Sequence, residues 1–362
     1  MPTRERVHSA DLVCLSVTGT TLDPKVLLAG PRGRRVCWEL LTRTGGWTFE
    51  EPPESAGVSA LAAALSAAVA RSDFGALAVA SEPASFLAAL ADAVTFAMYW
   101  QEPDERDRRL ADERIADVLS PVAEAVSRAP AAAWWSATLD HAAQHEVVFH
   151  GPDEPSIPDP PQDARAALAA WREATLADER RAADRPQDIR ANYSGYWWST
   201  PTHSGLRRST RSLGTVGPVG LHLVEDALGW TSARCWALEL PHDAVVYEIH
   251  TPEDWGELVA RYPLSVTKAR RHDWWRATGE ENAWAVPDYP AVAADYDAIH
   301  LSVGGYLSTA GRAIASEGAH TVLAGWDPDQ TWWLTDGPRR LGEPVTWLDT
   351  REQEPFMWAP TQ

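Results

Sequence analysis

The chain has few cysteines and no long apolar run. Its 362 residues include three cysteines, at positions 14, 37 and 235. Their odd number and wide spacing exclude a disulfide framework and a paired-cysteine metal site, so we predict buried thiols. No stretch of about 18 uncharged apolar residues occurs, and the first residues lack the basic-then-apolar order of a signal peptide. We therefore expect no membrane span and no export, and we predict a cytoplasmic protein.

Positive charge is also scarce. Lys and Arg number 32 against 51 Asp and Glu, which gives a net charge of −19, and the lysines are Lys25 and Lys268 alone. Such a protein repels a polyanion unless a local basic patch outweighs the mean field. We therefore expect no DNA partner, and any contact with another nucleic acid has to be local.

Several common catalytic motifs are missing. The chain has no phosphate-binding Walker loop, no glycine fingerprint of a dinucleotide fold and no Gly-x-Ser-x-Gly turn. His141 and His145 have the spacing of a metal pair, but no Glu stands between them in the protease order and no third ligand is evident. The sequence therefore predicts no metal and no bound cofactor.

The first half of the chain is rich in alanine, and apolar residues recur there at three- and four-residue spacing, which is typical of amphipathic helices. Shorter apolar runs bounded by Gly and Pro predict strands. The predicted helices lie at residues 58–72, 84–96 and 105–128, the last bent or split at Pro121, and the predicted strands lie at 11–17, 35–41 and 145–150.

Five prolines between residues 151 and 162 predict a connector, and a charged alanine-rich run predicts a helix over 163–184. Beyond residue 190 the chain carries 13 of its 19 tryptophans. Thr251 and Pro252 predict the start of a helix over 253–261. The predicted strands of this half lie at 195–200, 234–240, 244–250, 298–303, 321–324 and 331–335.

These elements predict an α+β fold, with a mostly helical first half that carries a short sheet and a second half built on a mixed sheet. We expect three parts: an N-terminal α+β domain over 1–150, the connector and its helix over 151–190, and a tryptophan-rich domain over 191–362 that binds substrate and donor.

Residues 193–211 form the most unusual segment, in which large aromatics precede a loop rich in hydroxyls and arginines. Aromatic faces can stack on a base while guanidinium groups reach phosphates. The residues expected to bind a nucleotide-bearing donor are Trp197, Trp198, Arg207, Arg208 and Arg211. The alternative is that the tryptophans are core residues and the arginines are solvated.

Residues 268–276 combine the same residue types. The expected donor-binding residues are Lys268, Arg270, Arg271 and Trp275, since positive charge supplies affinity and stacking supplies orientation. His272 stands among them and could act as a general acid or base near neutral pH. The alternative is a surface helix whose cations pair with the many acids.

Two further places could carry chemistry. Glu225 and Asp226 follow an apolar run and could hold a substrate ammonium, or simply cap a turn. His300 lies on a predicted strand whose alternation puts it on the polar side, where it could face a cleft. The alternative there is an exposed strand histidine.

The segment that ends in Ser199-Thr200 and is followed by mixed strands resembles a remote ADP-ribosyltransferase-type fold, whose families carry a Ser-Thr strand and a later catalytic Glu. Glu352-Gln353-Glu354 fits the Glu-x-Glu of those families in form. This resemblance implies NAD as cofactor, with Ser199 and Glu354 in the site.

A second resemblance covers most of the chain. The alanine-rich first half followed by Trp197-Trp-Ser-Thr-Pro201, Leu223-Val-Glu-Asp226, Arg270-Arg-His-Asp273 and Gly325-Trp-Asp-Pro-Asp329 is similar to the valanimycin-type aminoacyl-tRNA-dependent seryltransferase family of high-GC bacteria. This resemblance implies transfer of an aminoacyl group from charged tRNA to a small amine or hydroxylamine in specialised metabolism, that is, in natural product biosynthesis.

The leading hypothesis is a metal-independent group transferase whose partners are charged tRNA and a small-molecule acceptor. An activated ester needs only positioning and a proton acceptor, which would be His272 or His300. Two alternatives stay open: NAD-dependent ADP-ribosyl transfer through Ser199, and a binding protein without catalysis.

Overall fold

The computed structural model describes residues 22–44, 49–80, 83–150, 163–227, 229–350 and 358–361. Over these ranges the chain combines α-helices with one large mixed sheet, which confirms the predicted α+β class. No helix within them is long and apolar enough to cross a membrane.

Helices dominate the first half, and aspartates start several of them. The side chains of Asp23, Asp73, Asp104 and Asp112 each accept a backbone N–H bond from the first turn. The α-helices here are α1 (Pro24–Ala29), α2 (Pro31–Thr44), α3 (Gly57–Arg71), α4 (Phe74–Ala78), α5 (Pro83–Val94), α6 (Glu105–Leu110) and α7 (Glu113–Arg128), and 3₁₀ turns occupy Glu54–Ala56 and Pro130–Ser136. The predicted helices over 58–72 and 84–96 are confirmed.

The strand predicted over 35–41 is wrong, because these residues lie inside α2. Val36, Cys37, Leu40 and Leu41 are buried there at helical spacing. A short apolar run fits a strand or a buried helix equally well, and only the packing decides between them. The strand predicted over 11–17, the thiol of Cys14 and the connector over 151–162 lie outside the described residues.

The helix predicted over 105–128 is split, but not at Pro121. Asp112 starts a new helix, and α7 then runs through Pro121 to Arg128. The chain therefore turns where an aspartate offers a cap, nine residues before the proline.

The second half supplies most of the strands. Its α-helices are α8 (Ala164–Arg181), α9 (Pro252–Arg261), α10 (Thr267–Thr278), α11 (Tyr289–Val292) and α12 (Val303–Thr309), and 3₁₀ turns occupy Ala182–Asp184, Gly214–Val216 and Val219–Leu221. The strands are β1 (Gln144–His150), β2 (Arg208–Leu213), β3 (Gly217–Pro218), β4 (Ser232–Glu239), β5 (Val246–Ile249), β6 (Pro263–Ser265), β7 (Ala285–Pro287), β8 (Ala298–Leu301), β9 (Ile314–Ser316), β10 (Ala319–Thr321), β11 (Gln330–Trp333), β12 (Arg339–Asp349) and β13 (Trp358–Pro360).

The main sheet has the strand order β13-β12-β4-β1-β2-β11-β8-β5, and β3 pairs with β2. The β5–β8 pair is parallel, and the other strand pairs of this sheet are antiparallel. Two small sheets join β6 to β7 and β9 to β10. Strand β1, from the first half, lies between β4 and β2 near the middle of the sheet, so the predicted domain boundary at residue 150 falls directly after a central strand.

One buried cluster of apolar side chains joins the helical half to the sheet. Helix α12 lies within it, with every residue from Val303 to Thr309 buried. The two halves approach closely at Gly30, where an added Cβ would lie 2.3 Å from the Leu307 carbonyl oxygen. Within the second half, α12 lies equally close to β5, since a Cβ on Gly305 would lie 2.3 Å from the Ile249 carbonyl oxygen. Only glycine allows this contact.

Three local predictions in the second half need comment. Helix α9 begins as predicted, with Thr251 and Asp254 forming a reciprocal capping box. Residues 195–200, predicted as a strand, form none; Ser199 instead bonds the backbone of Ala324. Conversely Arg208–Leu213, expected as an exposed loop, is strand β2 between β1 and β11.

Candidate functional site

The two aromatic and basic segments of the sequence pack against each other. The Asp273 carboxylate accepts hydrogen bonds from Ser194 Oγ at 2.7 Å and from the Gly195 N–H at 3.0 Å. The Trp274 indole N–H donates to the Trp197 carbonyl at 2.9 Å. Helix α10 therefore holds the segment around residues 193–197 in place, and the two segments share one region, as the predicted common site required.

Most of the arginines expected to bind a donor are occupied within the protein. Arg211 is buried, and its Nε lies 2.5 Å from Asp329 Oδ1. Arg207 pairs with Glu146. Arg271 donates to the Pro186 carbonyl at 2.6 Å. These partners correct the expectation of free cations, because the guanidinium groups already have acceptors.

The tryptophans form packed pairs. Trp197 is buried and stacks on Trp198 with 4.5 Å between ring centroids, and the Trp100 ring lies tilted against it at 4.9 Å. Trp198 is half-buried and lies against Gly325, where a Cβ would be 2.0 Å from its ring. Trp275 is half-buried below the guanidinium of Arg190. The core interpretation fits Trp197, which has no free face for a base.

The three predicted catalytic residues lie inside the protein and apart from one another. Ser199 is fully buried, and its Oγ donates to the Ala324 carbonyl at 3.1 Å. His272 is buried on α10, where Nε2 donates to the Pro186 carbonyl at 3.1 Å. Burial and the neighbouring Arg271 lower the pKa of His272. The Ser199 hydroxyl and the His272 imidazole thus both hydrogen-bond backbone carbonyls in the protein interior.

His300 faces no cleft, contrary to expectation, because both faces of β8 are covered. It is fully buried, with Nδ1 2.6 Å from Glu248 Oε2. Burial alone lowers its pKa, but the charges of Glu248 and Asp329 outweigh burial and raise the pKa to about 9. His300 is therefore a buried cation, which suits an ion-pair network better than a general base.

Glu225 and Asp226 also bind the protein itself. Glu225 is buried and accepts from the Gly325 N–H at 2.5 Å and the Tyr306 hydroxyl at 2.9 Å. Asp226 accepts from the Met98 N–H at 2.7 Å. Burial raises the pKa of both carboxyls, that of Asp226 to about 6. Both carboxylate oxygens of Glu225 already accept hydrogen bonds within the protein, which corrects the expectation that Glu225 holds a substrate ammonium.

Arg270 differs from the other predicted cations. Its side chain is 1% exposed, and its Nε and Nη1 atoms have no hydrogen-bond partner. The nearest carboxylate oxygen, Asp178 Oδ2, lies 3.6 Å from Nη1, and the Tyr196 ring centroid lies 4.5 Å from the guanidinium carbon. Burial lowers the pKa of Arg270 to about 10, so the group stays charged at neutral pH.

Arg270 lines a cavity of about 440 Å³, which we call the Arg270 cavity. Helix α8 supplies one wall, the segment around residues 196–204 another, and α10 brings Arg270 itself. The residues that line it are Ala167, Ala170, Trp171, Ala174, Thr175, Asp178, Arg181, Tyr196, Thr202, His203, Ser204 and Arg270.

Local contacts fix this geometry. Glu179 on α8 accepts the Lys268 and Ala269 N–H bonds at 3.0 and 2.8 Å, which caps the start of α10. Arg185 bridges the two helices, since it donates to Asp178 Oδ1 at 2.5 Å and to the Ala269 carbonyl at 3.1 Å. The Arg270 guanidinium is thereby held beside Asp178.

Sequence reasoning missed the contribution of α8. Trp171, Thr175 and Asp178 recur at spacings of four and three residues, so they lie on one face of the helix. A helix face that combines an aromatic, a hydroxyl and an acidic side chain could have indicated a binding site. The many oppositely charged residues of the helix instead favoured the interpretation that its polar face is solvated.

Lys268 and Arg208 are the exposed members of the predicted donor-binding set. Lys268 lies in the first turn of α10 and is not part of the Arg270 cavity lining. Arg208 lies over the Trp332 ring and lines a second cleft of about 470 Å³, where β1 and β2 separate beyond their pairing at Gln144 and His145. Lys268, Arg208 and Arg270 therefore do not line one common cavity.

Comparison with protein-family models, with curated proteins and with solved structures found no match for this chain. Glu354 lies outside the described residues. Among the residues that the structure describes, no group of three or more His, Cys, Asp or Glu is placed to hold a metal ion.

Proposed function

We propose that this protein binds a small organic anion in the Arg270 cavity. The observation that carries the proposal is a fully buried, charged guanidinium on a cavity wall, two of whose nitrogen atoms have no hydrogen-bond partner. An unpaired buried charge costs several kcal/mol, and Asp178 at 3.6 Å offsets this cost without a hydrogen bond. A carboxylate or phosphate oxygen would supply a missing acceptor, and a hydrogen bond between two charged groups is stronger than one between neutral groups.

The rest of the lining supports an organic ligand over an inorganic ion. The aromatic rings of Trp171 and Tyr196 and the methyl groups of three alanines on α8 supply an apolar surface. A cavity with mostly apolar walls and a few polar groups is typical of small-molecule sites. The ligand is therefore expected to carry an apolar or aromatic body beside its anionic group.

Acyl transfer from charged tRNA to a small-molecule acceptor, a cytoplasmic location and NAD as the alternative cofactor stay predictions. The predicted bases His272 and His300 lie outside the cavity, whereas His203 lines it. His203 is exposed and has a φ of 61°, a conformation that few non-glycine residues adopt. If a proton is transferred in this cavity, His203 is the imidazole placed to move it.

Calorimetric titration with acetate, benzoate, inorganic phosphate and phenyl phosphate tests the proposal. We expect benzoate and phenyl phosphate to bind more tightly than the two anions without a ring, because only they fill the apolar wall. Arg270→Met should weaken binding at least about tenfold, since it removes the charge but keeps the aliphatic chain. Arg190→Met is the matched control, because Arg190 is exposed and lies outside the cavity lining.

Arg270→Met is expected to fold, because the guanidinium that it removes donates no hydrogen bond through Nε or Nη1. Its thermal unfolding is measured beside the titration. Unchanged affinity in Arg270→Met would overturn the proposal. So would a failure of the unaltered protein to bind any of the four anions and any carboxylate that also carries an ammonium.

A further inference from the structure

The Arg270 cavity contains an unsatisfied acceptor as well as unsatisfied donors. Asp178 Oδ1 accepts a hydrogen bond from Arg185, but Oδ2 has no donor and is buried. Asp178 Oδ2 lies 3.6 Å from Arg270 Nη1. Two opposite charges, each with a free hydrogen-bonding position, therefore stand side by side on the wall of one cavity.

We infer that the ligand of the Arg270 cavity is an α-amino acid, whose carboxylate binds Arg270 and whose ammonium binds Asp178. This inference rests on the proposed function, since it requires the anion to occupy Arg270. In an α-amino acid the two charged groups are attached to the same carbon, so their spacing suits a guanidinium and a carboxylate that are neighbours. Each ligand group then meets a protein group of opposite charge.

A simple anion fits the same cavity less well. Its negative charge at Arg270 would lie beside the Asp178 carboxylate, and like charges at this distance repel in a buried site. The free Oδ2 lone pairs would also stay without a donor, which costs free energy when the ligand excludes water. The ammonium of an amino acid removes both penalties.

The cavity also has room for the side chain of an amino acid. Ala167, Ala170 and Ala174 leave space along α8, and Trp171 and Tyr196 offer flat apolar faces within the volume of about 440 Å³. The walls therefore favour an apolar or aromatic side chain, so phenylalanine is a suitable probe.

Calorimetry with four matched compounds tests each charge. The compounds are phenylalanine, 3-phenylpropanoate without the ammonium, phenethylamine without the carboxylate, and N-acetylphenylalanine with the amine made neutral. We expect phenylalanine to bind at least about tenfold more tightly than each of the other three. A thermal-shift screen of the twenty common amino acids first shows whether a different side chain fits better, and that amino acid then replaces phenylalanine in the set.

Asp178→Asn is the variant that isolates the second charge. It keeps an oxygen for Arg185 and removes the negative charge, so the affinity of 3-phenylpropanoate should approach or exceed that of phenylalanine. Asp184→Asn is the control, because Asp184 is an exposed acid just beyond α8 that is not part of the cavity lining. If Asp178→Asn does not fold, the four compounds on the unaltered protein still decide the question.

The possible failures can be told apart. Equal binding of 3-phenylpropanoate and phenylalanine to the unaltered protein, or thermal stabilisation by simple acids and by none of the amino acids, overturns the amino acid and leaves the anion site standing. Equal binding of phenethylamine and phenylalanine, or binding that Arg270→Met does not weaken, overturns the anion site itself.

Discussion

His300 and Glu248 form a buried ion pair across two parallel strands, with Nδ1 of the imidazole 2.6 Å from Oε2 of the carboxylate. The other ring nitrogen lies 3.5 Å from Asp329 Oδ1, and Asp329 pairs with Arg211. His250 lies 3.8 Å from Glu248 at the outer end of this network. The charges of Glu248, His300, Asp329 and Arg211 thus alternate in sign, and each neighbour stabilises the next. Burial lowers the pKa of His250, which disfavours its charged form.

This network predicts a loss of stability at alkaline pH. The pKa of His300 is raised to about 9 from an ordinary 6.5, so the folded state binds the proton more tightly than the unfolded state. The stabilisation is fully present below pH 6.5 and is lost as the pH rises through 9. The free energy of unfolding, from urea titrations at pH 7, 8, 9 and 10, should fall across this window.

His300→Gln is the test of the assignment. It should cost about 3 kcal/mol at pH 7, because it removes the cation that lies between the half-buried Glu248 and the buried Asp329. It should also flatten the decline between pH 7 and 10. A variant that keeps the unaltered decline would show that another group titrates.

The same network also predicts a loss of stability at acid pH. Burial raises the pKa of Glu248 and Asp329, but the charges of His300 and Arg211 outweigh burial and lower both values. Stability from these carboxylates is present above their ordinary pKa values and is lost as the pH falls below them. Maximum stability is therefore expected between the acid and the alkaline limit.

Local signals in the sequence predicted much of the secondary structure. The capping box at Thr251 and the alanine-rich periodicity of α3, α5 and α8 depend on neighbours within one turn, so they could be found without tertiary information. The strand over 35–41 could not be distinguished from a helix, because its short apolar run suits any buried element. The strand Arg208–Leu213 was missed because its arginines looked like solvated residues.

The site was harder to predict, because arginine has the same appearance in a sequence whether its guanidinium is free or paired. Arg211 and Arg270 stand in equally basic segments, yet Asp329 satisfies the first and only a neighbouring, non-bonded Asp178 faces the second. The acids that decide this difference lie 118 and about 90 residues away along the chain. Long-range pairing of this kind leaves no local pattern.

Asp226 should limit stability above neutral pH. Burial, with the charge of Asp327, raises its pKa to about 6, so the folded state disfavours its ionised form. Stability from this group is greatest at low pH and falls as the pH rises through 6. Asp226→Asn keeps an acceptor for the Met98 N–H and should raise the free energy of unfolding by about 1 kcal/mol at pH 8, with a smaller gain at pH 5.

Urea titrations at the two pH values measure this difference. Asp117→Asn on the exposed face of α7 is the control and should change stability little at either pH. A gain at pH 5 as large as the gain at pH 8 would contradict the role of ionisation.

Asp273 is expected to hold the aromatic segment on α10. It is buried and accepts hydrogen bonds from Ser194, Gly195 and Arg276. Asp273→Asn should cost about 2 kcal/mol of unfolding free energy, because one amide oxygen replaces a charged acceptor. It should also weaken benzoate binding, since Tyr196 follows the released segment. Ser194→Ala removes only the hydrogen bond from Ser194 to Asp273 and should cost about 1 kcal/mol. Equal costs for the two variants would argue against a role for the charge of Asp273.

Gly305 should be the least replaceable of the glycines within α12. An added Cβ would lie 2.3 Å from the Ile249 carbonyl oxygen and 3.2 Å from the His250 Cα, and neither backbone atom can move without disturbing β5 or its end. Gly305→Ala is therefore expected to lower the free energy of unfolding by about 3 kcal/mol. Gly279→Ala is the control, because Gly279 has a φ of 74° but nothing within 4 Å of its added Cβ, so it should lose only about 1 kcal/mol through backbone strain. Urea unfolding of the two variants compares the cost of overpacking with the cost of backbone strain. An equal loss of unfolding free energy in both would show that helix α12 can shift away from β5 to admit the methyl group.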